Sequence, residues 1–156
     1  MHPFTRRLAD SRRHLRVIVA LVLALALVGT AVAASTSTSF KGKTKQGVKV
    51  TLRATATKAM SFKASPNVLC GSVVTGKNKL VLYAVSLTKP SKLKNGRFTM
   101  TFKGASSTTI SVTGRINGSS ASGKLNIKFS KTIGTTSTGL LDIAACQLKT
   151  TWTAKA

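Results

Sequence analysis

The stretch Lys124–Ser130, with the sequence KLNIKFS, alternates between polar and apolar side chains. Leu125, Ile127 and Phe129 share one face of an extended chain, because successive side chains of a β-strand point to opposite faces. The same alternation occurs in three further stretches, Val48–Arg53, Phe98–Lys103 and Thr109–Thr113. This period of two predicts strands with one buried and one solvated face.

Tight-turn signals separate these strands. Asn117-Gly118 lies between two alternating stretches, and Asn95-Gly96 precedes another. Both dipeptides favour two-residue hairpin turns. Short strands with such turns between them predict an all-β fold, a small antiparallel β-sandwich or barrel. We expect one domain over residues 40–156, after a short flexible Ser/Thr segment at residues 34–39.

Three stretches depart from the alternation. Leu80–Leu87 (LVLYAVSL) is largely apolar on both faces and predicts a central strand covered on both sides. Ser65–Gly71 contains a proline and an asparagine and predicts a loop that carries Cys70. Thr132–Ala145 is polar and then apolar, and we expect a short helical turn around Leu140–Ala144.

The N-terminal residues 1–33 have the three parts of a secretory signal peptide. Five arginines precede the uninterrupted apolar run Val17–Val28, and Ala31-Val32-Ala33 supplies a small-residue cleavage site. We expect a signal helix that is cleaved after Ala33, and a secreted or cell-envelope protein without a stable membrane span. The alternative is a retained anchor, because residues 17–34 are barely long enough to cross a bilayer.

Cys70 and Cys146 are the two cysteines of the chain. In an oxidising compartment an even number of cysteines predicts a disulfide, and two cysteines allow a single pairing. The alternative is a pair of free thiols or a redox couple, which the wide separation and the missing Cys-x-x-Cys motif disfavour.

The charge balance excludes most catalytic chemistry. The 156 residues include 25 Lys+Arg and 2 Asp+Glu, a net charge of +23. Beyond residue 16 there is no histidine, and Asp142 is the only carboxylate side chain. Metal sites, paired-carboxylate glycosidases and Ser-His-Asp triads need residues that are missing there. We therefore expect no metal, no cofactor and no enzymatic activity.

A Ser-Lys acylating enzyme is the remaining catalytic alternative. Ser86 and Lys89 match the S-x-x-K motif of penicillin-binding serine enzymes, but the partner motifs S-D-N and K-T-G are missing. Asp142, as a lone acid, is expected to pair with a lysine or arginine or to cap local backbone.

Two groups of basic residues carry the main functional signal. Lys41, Lys43 and Lys45 share one face of an opening strand. The second group lies in the loop before the Phe98 strand and comprises Lys89, Lys92, Lys94 and Arg97. Such charge attracts polyanions, which outside a cell include anionic wall polymers, lipid headgroups, acidic polysaccharide and non-specifically bound nucleic acid. The alternative is that the lysines protect sheet edges and keep the protein soluble.

Trp152 allows a second kind of binding. A lone tryptophan near the end of a β-domain could stack on a sugar ring in a carbohydrate-binding module. However, Trp152 has the same strand parity as Cys146 and Leu148, which favours packing in the core beside the disulfide.

Five short motifs occur along the chain after the signal segment. They are F-x-G-x-T-x-Q-G at Phe40–Gly47, N-G-R-F at Asn95–Phe98, G-x-x-x-G at Gly114–Gly118, A-x-G-x-L at Ala121–Leu125, and C-x5-W-T-A at Cys146–Ala154. Together these motifs resemble those of small secreted actinobacterial β-sandwich-like proteins of uncharacterised activity. The resemblance covers most of the chain after the signal segment and implies a disulfide-linked β-fold. It implies no catalytic residues.

Overall fold

The computed structural model describes residues 36–105 and 107–156, so the expected signal segment 1–33 lies outside the described residues. The described chain is all-β, as predicted. Its strands are β1 Thr38–Thr44, β2 Lys49–Ala54, β3 Lys58–Ala64, β4 Asn67–Ser72, β5 Asn78–Leu82, β6 Val85–Leu87, β7 Ser91–Lys92, β8 Arg97–Lys103, β9 Thr109–Asn117, β10 Ser120–Thr135 and β11 Leu141–Lys155. The described residues contain no helix able to span a membrane.

The strands form one antiparallel, nearly closed, barrel-like sheet. Its main path runs β6-β3-β2-β1-β11-β10-β9-β8, and β8 approaches β6 and β7 without pairing with them. The long strand β11 organises this sheet. It pairs with β10 along most of its length, with β1 near its C-terminal end and with β4 near its N-terminal end. A short extension, β4 with β5, therefore leaves the main path beside the first half of β11.

The core follows the predicted alternation. Leu125 and Ile127 of β10 are fully buried, and Trp152 of β11 is only 1% exposed. The Trp152 ring centroid lies 5.4 Å from that of Phe62 and 6.3 Å from that of Phe98. The inward position of Trp152 is therefore confirmed, but its aromatic neighbours are Phe62 and Phe98, and six positions along β11 separate it from Cys146 of the disulfide.

A glycine makes room for this tryptophan. In the sheet register Trp152 lies opposite Gly123, which in turn lies opposite Gly114. A Cβ atom at Gly114 would lie 2.7 Å from Trp152 Cζ2 and 2.7 Å from Phe98 Cζ. Glycine is therefore required at position 114 because the two aromatic rings occupy the space that a side chain would take.

The predicted disulfide between Cys70 and Cys146 is present. The two cysteines are direct cross-strand partners on β4 and β11, and both are buried. The bridge fastens the β4–β5 extension to the centre of the sheet. A disulfide of this kind indicates an oxidising, extracytoplasmic environment.

Leu80–Leu87 is two short strands instead of one central strand. β5 and β6 are separated at Tyr83-Ala84, and among the described strands β5 pairs with β4 alone. Leu80 and Leu82 are 64% and 68% exposed, so the prediction of a strand covered on both sides was wrong for this half. The apolar run contains residues that face solvent at the rim of the sheet.

Three further boundaries differ from the sequence-based expectations. The expected loop at Ser65–Gly71 is mostly strand β4, and the expected helical turn around Leu140–Ala144 is the start of β11. At the start of β11 the backbone groups are hydrogen-bonded to β10 and β4. In a helical turn they would have been hydrogen-bonded to one another. β1 begins at Thr38, inside the expected flexible segment, because Thr38 and Ser39 pair with the end of β2.

The two predicted turns occur where expected. Asn95 and Gly96 both have positive φ, 51° and 73°, between the paired residues Lys94 and Arg97. Asn117 and Ser120 close the hairpin between β9 and β10.

The described hydrophobic core lies entirely between Phe40 and Ala154. Ser35–Ala156 is a compact unit with its own core and its own disulfide, which are the features of a domain that is able to fold alone.

Candidate functional site

All basic side chains in the described part of the chain are exposed. Asp142, the single acidic side chain there, is 7% exposed. The surface formed by these residues therefore presents positive side-chain charge without a matching carboxylate.

The sheet register gathers many of these cations on one surface. We give the name cationic face to the outward side chains of β1 and the β1–β2 turn, together with those of residues 149–155 of β11, 120–126 of β10 and 113–117 of β9. Its basic members are Lys41, Lys43, Lys45, Arg115, Lys124, Lys149 and Lys155. Threonine, serine, asparagine and glutamine lie between them, so hydroxyl and amide groups accompany the charges.

Lys41 and Lys43 lie on the outward face of β1 as predicted, whereas Lys45 follows the strand in the β1–β2 turn. All three are exposed, while Phe40 and Thr44 of the strand are buried. Alternate residues of a strand are separated by about 6.8 Å, which sets the spacing of Lys41 and Lys43.

Cations lie directly opposite one another across several strand pairs. Lys43 is the partner of Lys49 on β2, and Lys41 is the partner of Lys155 on β11. Arg97 and Arg115 are partners on β8 and β9. Like charges at directly opposed positions destabilise a sheet. A bound polyanion would remove this repulsion.

Two depressions lie on the cationic face. The first has a volume of about 710 Å³ and includes Lys41, Lys43, Arg115 and Lys155 in its lining. The second has a volume of about 800 Å³ and includes Lys45, Lys124 and Lys149, with Asn126 and two threonines. Each depression therefore combines several positive charges with neutral hydrogen-bonding groups.

The second predicted group is divided by the structure. Lys92, Lys94 and Arg97 line one depression of about 410 Å³ at the start of β8. Arg97 also joins the cationic face through its partner Arg115. Lys89 is exposed in the connection between β6 and β7, outside the lining of that depression.

Four basic members of the cationic face were missed as site residues in the sequence analysis, namely Arg115, Lys124, Lys149 and Lys155. The alternation of β10 and β11 places Lys124, Lys149 and Lys155 on outward faces. The sequence gives no sign that the first strand pairs with the last, which is the contact that brings Lys41 beside Lys155.

Asp142 supports a turn instead of pairing with a cation. The Ser72 hydroxyl donates a hydrogen bond to Asp142 Oδ1, and Thr75 Oγ1 donates one to Oδ2 at 3.2 Å. Ser72 Oγ accepts the backbone N–H of Thr75 at 2.8 Å. The carboxylate thereby holds the β4–β5 turn against β11. Its expected partnership with lysine or arginine is replaced by two hydroxyl groups.

The residues of the two alternative functions, sugar binding and Ser-Lys catalysis, lie in the following surroundings. Trp152 is 1% exposed, so its ring offers no face for stacking on a sugar. Ser86 is exposed on β6 opposite Lys63, and Lys89 is also exposed. A lysine that activates a nucleophile is normally desolvated, and solvent surrounds this one.

The described residues contain no cluster of three His, Cys, Asp or Glu side chains that could hold a metal ion. Comparisons with family models, with curated proteins and with solved structures find no significant match to this chain.

Proposed function

We propose that this protein is a secreted, non-enzymatic binding domain that associates with anionic polymers of the cell envelope or its surroundings. Residues 1–33 serve as its signal peptide in this proposal. The cationic face contacts phosphate or carboxylate groups repeated along a flexible chain. The resemblance to small secreted actinobacterial proteins is consistent with such a location.

The observation that carries the proposal is that the basic and acidic side chains differ in their exposure to solvent. Every described basic side chain is exposed, whereas Asp142 is buried. Opposed pairs such as Lys43 with Lys49 keep repulsion that a neutral residue would avoid. Solubility alone requires net charge, but it does not require cations at directly opposed positions.

The structure sets the expected salt dependence. The depression that contains Lys41, Lys43, Arg115 and Lys155 offers four cations to one bound segment. For a single-stranded polyanion, four contacts give a slope of log K against log salt of about −2.8. Affinity should then fall about 50-fold between 50 and 200 mM salt.

The test uses the chain from Ala34 to Ala156 and two probes, a labelled 20-nucleotide oligo(dT) as a flexible phosphodiester chain and purified bacterial cell walls. The variant Lys43→Gln with Arg115→Gln should halve the oligo(dT) slope to about −1.4. The matched control, Lys77→Gln with Lys79→Gln, removes the same charge from the β4–β5 hairpin and should keep most of the original slope.

Two results would overturn the proposal. Absence of binding at low salt to both probes would leave the charge as a solubility device. Equal slopes for the two double variants would show that no particular face binds. Salt-insensitive binding to a neutral polysaccharide would instead support a carbohydrate-binding module.

A further inference from the structure

The β4–β5 extension exposes large aliphatic side chains on one face. We name them the aliphatic patch. They are Leu69, Val73, Leu80, Leu82, Leu141 and Ile143, each between 45% and 72% exposed. Surface leucines that occur singly are normal, whereas a contiguous group marks an interaction site.

The strand register shows that these side chains are neighbours. Leu69 and Leu80 are direct partners on β4 and β5. The backbone N–H of Val73 donates to the Ile143 carbonyl oxygen at 3.1 Å, which places these two residues side by side. The two pairs lie on either side of a row of small residues, in which Gly71 of β4 is the partner of Ala145 of β11. The patch is therefore one stripe across β5, β4 and β11.

A lysine borders the patch on the same face. Lys128 is the β10 partner of Gln147, which itself lies opposite Leu69. Lys79 is the partner of the inward-facing Cys70, so it lies on the other face of the β4–β5 hairpin. Asp142, the one acid among the described residues, is buried and bonded to hydroxyl groups. An aliphatic surface on a strongly basic domain complements a membrane interface, where acyl chains lie beneath anionic headgroups.

The charge also argues against a second copy of the chain as the partner. Ser35–Ala156 contains 20 basic residues and one acid, so two copies repel each other over long range. An anionic bilayer is attracted by that same charge.

We propose that the aliphatic patch inserts into the outer interface of an anionic lipid bilayer, with Lys128 beside it on the headgroups. This goes beyond the proposed polymer binding because it uses a different surface and a different force. Charge brings the domain to the bilayer, and burial of the aliphatic side chains retains it there.

The test measures partition of the Ala34–Ala156 chain onto vesicles of phosphatidylglycerol with phosphatidylcholine, and onto pure phosphatidylcholine vesicles. The variant Leu80→Ser with Leu69→Ser should lower partition onto the anionic vesicles by about tenfold for each leucine removed. The control Phe102→Ser removes another large apolar side chain, 48% exposed on β8 outside the patch, and should leave partition unchanged. Circular dichroism verifies that each variant is folded.

Three outcomes would overturn the inference. The first is absence of binding to anionic vesicles. The second is a loss of partition for Phe102→Ser equal to that of the double variant. The third is self-association by analytical ultracentrifugation that the double variant abolishes, which would make the patch an interface between copies. The two proposals are tested by different probes, because oligo(dT) contains no lipid. A missing salt dependence of oligo(dT) binding would refute the polymer proposal, whereas the vesicle partition would still decide the membrane proposal.

Discussion

The substitution Gly114→Ala tests the aromatic packing at the centre of this fold. The added Cβ would lie 2.7 Å from Trp152 Cζ2 and 2.7 Å from Phe98 Cζ, whereas carbon atoms in good contact are separated by about 3.5–4.0 Å. Trp152 and Phe98 are 1% and 4% exposed, so neither ring can move into solvent without leaving the core.

The expected loss of stability follows from this overlap. Overpacking a core costs about 1–3 kcal/mol, and the reduced freedom of the unfolded chain returns about 0.4–1 kcal/mol when glycine becomes alanine. We expect a net loss of about 1.3 kcal/mol. With an unfolding entropy of about 2.1 cal/mol/K per residue, the melting temperature of the Ser35–Ala156 unit should fall by about 5 °C.

Urea denaturation followed by tryptophan fluorescence measures this loss, because Trp152 is the only tryptophan and is buried. Gly134→Ala is the matched control, since a Cβ at Gly134 would meet nothing within 4 Å. The stability of the Gly134→Ala variant should be unchanged or slightly higher than that of the parent protein. Phe98→Leu should relieve part of the Gly114→Ala loss in a double variant, with a coupling energy of about 0.5–3 kcal/mol.

Equal stabilities of Gly114→Ala and Gly134→Ala would refute this reasoning. So would a Gly114→Ala loss that is the same in the Phe98→Leu background, because the ring would then not occupy the space above Gly114.

Two further predictions concern the disulfide and the opposed charges. The variant Cys70→Ser with Cys146→Ser should lose about 4.5 kcal/mol of unfolding free energy, because the bridge closes a loop with a sequence separation of 76 residues. Urea denaturation measures this loss. A loss below about 1 kcal/mol would contradict the loop-entropy explanation. Lys43→Thr should gain about 0.2–1 kcal/mol at low salt by removing the repulsion from Lys49, and the gain should disappear at high salt. Lys128→Thr is the control because its strand partners are uncharged, and a gain there of the same size would remove charge pairing as the cause.

Alternation identified most of the strands because it is a local property. A residue such as Leu125 must be buried whichever strand lies beside it, since its polar neighbours face solvent. Alternation failed for Leu80–Leu87, where an apolar run does not show whether the second face is covered. In β5 none of the described residues covers Leu80 and Leu82, and both belong to the aliphatic patch.

The candidate site, too, could be predicted only in part from the sequence. Lys41, Lys43 and Lys45 could be found from spacing along one strand. Arg115 and Lys155 could not be linked to them, because the contact between β1 and β11 joins residues more than 100 positions apart.

The sequence was sufficient to predict the all-β class, the turns at Asn95 and Asn117, the disulfide partners and the excess of positive charge. These depend on local periodicity, on residue counts and on the single pairing that two cysteines allow. The folded structure was needed to show which cations form one face, which leucines face solvent and why Gly114 carries no side chain. Those features depend on which strands are neighbours, and that choice is made by the packing of the whole sheet around Trp152.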